Sequence, residues 1–314
     1  MADSGAMDVL SPSYSAVKLS GLVAEALPIL IIFAACHSLL VVVVRRITGG
    51  DWVPKTTSSG TGAELVAYNC VVLGFDLLST FMGVCALLDG TMTSLFSSVD
   101  DRLYAYSALG STLCAVTAAF EAYNTFVSAV MLPQGPALVA HHAVTLLLCG
   151  IATAPYCHAY LLFFFGIANL SSISLAAFTI CDILRARYPA FEAPYNHLRT
   201  AFGLSFLVVR TGAWPVLSAR FWMDSYIAVR VGRVHSYLAT TFLLLSNIFL
   251  TGLQFMWGRK VWQGLLKVVM GRSTGNSSAG KGNAGTRDST HTTTGKTGTA
   301  PPELRTRRPS REPV

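Results

Sequence analysis

SGLVAEALPILIIFAACHSLLVVVV, residues 20–44, is almost uninterrupted hydrocarbon, with Glu25 as its one Asp, Glu, Lys or Arg. A helix needs about 20 such residues to cross a hydrocarbon core about 30 Å thick. The stretch therefore predicts a membrane-spanning helix. It begins too far from the start, and runs too long, for a cleaved signal segment whose apolar region is about 7–15 residues, so it reads as a retained span. Working outward, six further stretches approach the same length and character: 65–88, 104–132, 137–155, 157–181, 200–219 and 236–257. The expected fold is all-α: a polytopic membrane protein with about seven transmembrane helices.

Composition agrees. Of the 314 residues, 52% are hydrophobic and 12% charged, a balance that excludes an ordinary soluble enzyme. The net charge of +7 sits at one end: residues 258–314 hold eleven Lys/Arg against three Asp/Glu, leaving the rest slightly acidic. Such a tail beside a last span reads as cytosolic, attracted to anionic lipid headgroups, and not as a nucleic-acid contact. Its Ser/Thr/Gly/Pro-rich portion, 271–314, lacks the apolar surface to offset ordering entropy and predicts disorder. The chain divides into an N-terminal segment with the first span and loop (1–59), a transmembrane domain (60–265) and a basic tail (266–314).

Positive residues stay on the cytoplasmic side of a span. Arg45, Arg46 and Lys55 follow the first stretch, Arg185, Arg187 and Arg199 lie about the end of the fifth, and the tail follows the seventh, so all fall on one side. The other side holds Lys18, Arg102, Arg220, Arg230 and Arg233. The count favours a lumenal N-terminus and a cytosolic C-terminus. The seven cysteines are scattered singly, mostly in apolar runs, and read as small packing residues without metal-binding spacing.

Within hydrocarbon the informative residues are polar, because an intramembrane charge is costly and faces a partner or a wet cavity. They are Asp76, Glu121, Asn124, His141, His142, Asn169 and Arg210. Adjacent His141 and His142 point about 100° apart on a helix. Thr145, four and three residues on, is within reach of either imidazole. The pair reads equally as proton-handling or acyl-accepting groups in a chamber and as packed, hydrogen-bonded histidines. Arg210 falls near mid-membrane, with Asp76 or Glu121 as its natural counter-charge, and Trp214-Pro215 should kink or end its helix. Asn247 and Gln254, seven apart, share a face and read as glue between helices. Trp257 reads as an interfacial anchor, and Phe163, Phe164 and Phe165 as packing or lipid-facing surface.

Three segments in order, LVAHHAVTLLL (138–148), LSFLVVRTGAWP (204–215) and NIFLTGLQFMW (247–257), resemble the TLC-domain family of TRAM, LAG1 and CLN8 proteins, which includes the ceramide synthases. The resemblance covers roughly 60–265. It implies six helices, spans 2–7, in a barrel-like bundle around a lipid-accessible cavity, with the same orientation as the charge count. It also assigns acyl transfer in ceramide synthases to the position of His142, with His141 beside it. The chain departs from that pattern where acids are expected: 168–172 reads Ala-Asn-Leu-Ser-Ser, with Asn169 in place of an acid. In the third span Asn124 takes the expected Asp position, unless Glu121 one turn earlier substitutes.

The expectation is a TLC-type protein of the endoplasmic reticulum or another endomembrane that binds or senses lipid and influences membrane lipid composition. Its cavity would be lined by Asp76, Glu121, Asn124, Thr145, Asn169 and Arg210 beside the two histidines, with no metal and no cofactor. An N-acyltransferase using His142, with acyl-CoA as substrate, and a trafficking receptor relying on its basic tail are the rival readings.

Overall fold

A computed structural model describes residues 12–53, 60–153, 156–234 and 236–275. Lys55, and the part of the expected disordered tail beyond 275, lie outside them. Among the described residues there is no strand. Eleven α-helices follow in order: α1 (Pro12–Thr48), α2 (Gly62–Leu88), α3 (Thr91–Leu95), α4 (Val99–Tyr104), α5 (Ala108–Phe126), α6 (Pro136–Ala152), α7 (His158–Leu161), α8 (Leu170–Arg185), α9 (Glu192–Phe206), α10 (Trp214–Arg230) and α11 (Tyr237–Gly275). Six continuous helical stretches are long and apolar enough to cross a membrane: 19–48, 62–88, 99–131, 158–185, 189–230 and 237–267. The protein is therefore an all-α polytopic membrane protein.

The expected span at 137–155 is α6, whose 17 residues reach only about 25 Å. Its ends nevertheless lie on opposite faces of the bundle. Before α6, Leu132 meets Gly60 ahead of α2. After it, the Cys157 amide donates to the Leu103 carbonyl in the last turn of α4. The face carrying Gly60 also brings Arg187 within 5.7 Å of the Trp52 ring, so the loops after α1 and α8 share it, as the basic-residue count expected. The opposite face gathers 89–107, 156–157 and 231–234, where Arg233 pairs with Asp100 at 2.7 Å.

Local chemistry fixes the helix ends. α2 opens with a capping box: Thr61 accepts from the Glu64 amide at 3.3 Å, and the Glu64 carboxylate accepts from the Thr61 amide at 2.8 Å. Ser98 and Ser107 cap α4 and α5. Pro215 neither ends nor breaks its helix. A wide π-helical stretch, Leu207–Ala213, precedes it, and α10 begins at Trp214 with the proline in its first turn, where its missing N–H is no loss. The helix consequently runs to Arg230, past the expected end at 219, and Arg220 sits on α10 rather than in a loop. α11 likewise continues to Gly275, beyond the expected start of the tail at 266.

Two contacts set the level of everything at the centre. The Phe75 and Phe120 rings stack at 3.7 Å between centroids, locking α2 against α5 so that the next residue on each, Asp76 and Glu121, sits at a matching depth. Gly83 and Gly166 let α2 and the segment after α7 approach backbone to backbone: a Cβ on Gly83 would come within 2.7 Å of the Ile167 nitrogen, the close approach that small residues permit in membranes. The chain there leaves α geometry, as a π stretch (Leu162–Gly166) and a 3-10 turn (Ile167–Asn169). Phe163 and Phe165 are buried, and Phe164 lies 4.5 Å from the Trp214 ring, so the aromatic run is packing surface.

Candidate functional site

The polar residues singled out in the sequence converge on the middle of the bundle. On α5, Thr117, Glu121 and Asn124 lie at i, i+4 and i+7, one face of the helix, and all are buried. On α6, His142 Nδ1 stands 2.7 Å from Glu121 Oε2, with both side chains less than a tenth exposed. Glu121, and not Asn124, is thus the side chain that meets His142. His141 turns to the other side of the cluster: its ring meets the edge of Trp257 at 5.7 Å, and its Nδ1 is buried without a partner. Trp257 thus turns toward α6 and is half-buried rather than exposed. Thr145 bonds neither imidazole. Its hydroxyl donates to the His141 backbone carbonyl at 2.9 Å, the usual local outlet for a helical threonine.

Arg210 sits on the π stretch before α10 and is buried. Its Nε donates to Ser171 Oγ at 3.0 Å, and one terminal nitrogen to Ser172 Oγ at 2.9 Å and Asn169 Oδ1 at 3.3 Å. The expected direct counter-charge is not what holds it. Among the described residues no carboxylate lies within ion-pair distance, although Asp76 and Glu121 are near enough to act on it electrostatically. Asn169 is occupied at both ends, since its amide nitrogen donates to Ser79 Oγ at 3.0 Å and the Phe165 carbonyl at 2.9 Å. An amide can therefore stand at this position where a carboxylate was expected: it carries a donor to α2 as well as an acceptor for Arg210.

Around these contacts lies a set of buried polar atoms without partners: Asp76 Oδ2, Thr80 Oγ1, Thr117 Oγ1, Asn124 Oδ1, His141 Nδ1, Thr211 Oγ1 and both amide atoms of Gln254. Buried polar groups are satisfied in the great majority of cases. These atoms lie on α2, α5, α6, the π stretch before α10, and α11. Gln254, one turn before Trp257 on α11, is 1% exposed; the helix-glue reading fails for it and holds for Asn247, which accepts from Trp222 Nε1 at 2.9 Å. On the other side of α5, an apolar crevice of about 320 Å³ opens between α1, α5 and α6, lined by Leu22, Ala26, Leu30, Ala118, Ala122 and Gly150 among others. None of the expected cavity residues lines that crevice.

Sequence reasoning missed a second polar cluster altogether. Arg102 on α4 forms a two-pronged pair with Asp224 on α10, Nε to Oδ2 at 2.5 Å and Nη2 to Oδ1 at 2.8 Å. Tyr160 donates to the same carboxylate, and Arg102 also donates to the Phe96 carbonyl at 3.1 Å. Arg102 had been counted as a loop charge. The signal that could have found the pair was Asp224 itself, an acid in the apolar run that continues the sixth span.

Glu121, His141 and His142, the first and last buried and His141 half-buried, form the one group of His, Cys, Asp and Glu side chains among the described residues with metal-ligand proximity, one ligand atom of each lying within 4.8 Å of the others. Sequence spacing gave no such pattern; folding assembles it from two helices. All seven cysteines are free.

No curated protein matches the chain at a significant level. The family model for the TLC domain matches residues 67–263, from the first third of α2 into the last third of α11, a span that takes in the whole polar centre. With seven apolar helices, the histidine pair and the intramembrane arginine in place, the chain belongs to the TLC-domain (TRAM, LAG1 and CLN8) family of integral membrane proteins.

Proposed function

We propose that the protein binds membrane lipid, with a polar headgroup in the central chamber, and through it influences the lipid composition of an endomembrane such as the endoplasmic reticulum, its N-terminus lumenal and its basic tail cytosolic. The supporting observation is the set of unpartnered buried polar atoms on α2, α5, α6 and α11. An unsatisfied buried donor or acceptor costs about 1–3 kcal/mol, and a headgroup bearing hydroxyl, amide or amine groups would recover several such costs together. Mass spectrometry of lipid retained by the protein in nanodiscs tests the reading. The wild type should carry a defined lipid class near one per chain, and Asn124→Leu with Gln254→Leu should empty it. A composition that merely mirrors the surrounding bilayer, unchanged by the substitutions, would refute it.

The 2.7 Å contact between Glu121 and His142 favours a second reading, acyl transfer. With Nδ1–H donating to the carboxylate, Nε2 keeps its lone pair for attack on the carbonyl of an acyl-CoA thioester. The carbon–sulfur bond would break, coenzyme A would leave as the thiol after protonation, and a lipid amine would take the acyl group from the imidazole, returning the histidine to neutrality. Purified protein supplied with acyl-CoA and a long-chain base should form the amide, and His142→Ala should abolish it.

A further inference from the structure

We propose that Glu121, His141 and His142 form a three-ligand site for a divalent first-row transition metal of the zinc type, with an open coordination position toward the chamber. Two imidazoles and one carboxylate are the donor set of catalytic zinc and of non-haem iron sites with open positions. The three donors, drawn from α5 and α6, already lie within 4.8 Å of one another. Ligand atoms around a tetrahedral zinc stand roughly 3.3 Å apart, given metal–ligand bonds of about 2.0–2.2 Å. Seating an ion requires Glu121 and His142 to part slightly from 2.7 Å and His141 to swing inward, movements within the range of side-chain torsions.

Two independent observations point to a cation. His141 Nδ1 is buried with no partner, and the Trp257 ring against it limits where the imidazole can turn. A second buried donor atom, Asp76 Oδ2, is likewise without a partner. Buried polar groups are paired or coordinated, and an ion at the centre would engage such donors. Asp76, whose Oδ2 has no partner, stands near enough to Glu121 to act on it electrostatically and so could orient the ligand or a bound water. The open position would polarise a carbonyl brought in with the lipid, which neither imidazole does alone.

The site depends on these three residues and not on a bound lipid, and its test reads metal directly. Full-length protein in nanodiscs is stripped with chelator, supplied with Zn2+, passed over a desalting column and assayed for metal by mass spectrometry. One equivalent should be retained by the wild type. Retention should fall at least tenfold in His141→Gln and in Glu121→Gln, and be unchanged in His197→Gln, whose histidine lies on α9. Because a variant can fail to fold, the wild type is also loaded with Co2+: a visible ligand-field absorption that added Zn2+ bleaches supports the site without any substitution. No stoichiometric retention and no cobalt spectrum, or retention equal in all four proteins, overturns it. An acyltransferase that works fully after chelation would leave the dyad reading standing and remove this one.

Discussion

The bundle contains two buried polar clusters of similar size and opposite character. At the face that gathers 89–107 and 231–234, Arg102, Asp224 and Tyr160 form a closed set in which the carboxylate accepts from three donors and the guanidinium also reaches a backbone carbonyl. At the centre, Glu121 and His142 are bonded to one another while their neighbours on α2, α6 and α11 keep buried atoms unpaired. A satisfied network holds elements together, here α4 and α7 to α10. An unsatisfied one is costly in hydrocarbon and is retained where something else completes it. The two clusters should therefore separate stability from binding.

The sharpest break comes at the closed cluster. Asp224→Asn removes the charge that compensates Arg102, and stranding one member of a buried pair costs about 3–5 kcal/mol. We expect a large fall in the temperature at which the detergent-solubilised protein loses its monodisperse peak, with lipid per surviving folded molecule unchanged. If the fall is small and bound lipid disappears, the division between the clusters is wrong. At the centre, Glu121→Gln keeps the shape and a hydrogen bond to His142 but removes the charge, so the loss of stability should be only about 1–2 kcal/mol. Lipid retention and amide formation, if the protein makes amide, should both fall at least tenfold. An intermediate control lies on α10 and α11: Trp222→Phe deletes the donor to Asn247 and should cost about 1 kcal/mol without altering bound lipid.

The fold was readable because a membrane span is a statement about length and hydrophobicity, both of which sequence carries openly. Six runs proved long enough, and the seventh, α6, fell short because its helix stops at Ala152, before the expected end at 155. The site was readable in its members and not in its pairings. His142 and Glu121 were each visible as polar residues in apolar runs, but their 2.7 Å contact depends on the rotation of α5 against α6, which the stacked Phe75 and Phe120 help to set. Arg210 was assigned a carboxylate by charge logic, whereas its π-helical backbone turns it toward the oxygens of α8. Local departures from 3.6 residues per turn leave no mark on an apolar sequence, yet they occur beside Asn169 and Arg210, where such bulges are common at functional sites.

Gln254 offers the smallest expected change in stability and the finest test of the contrast, because α11 carries both kinds of residue on one face. Asn247, seven residues earlier, is bonded to Trp222, whereas Gln254 is 1% exposed with both amide atoms unpaired. Leucine is close to glutamine in volume and needs no hydrogen bond. Replacing an unsatisfied buried polar group by an apolar one of similar shape is neutral or stabilising, so Gln254→Leu should leave thermal stability unchanged or raise it by about 1 kcal/mol. If the amide exists to meet a lipid headgroup, that same variant should lose bound lipid, and stability and occupancy will move in opposite directions. A variant that is both less stable and still lipid-loaded would show that Gln254 already has its partners within the protein, and the central cluster would then be as closed as the one around Asp224.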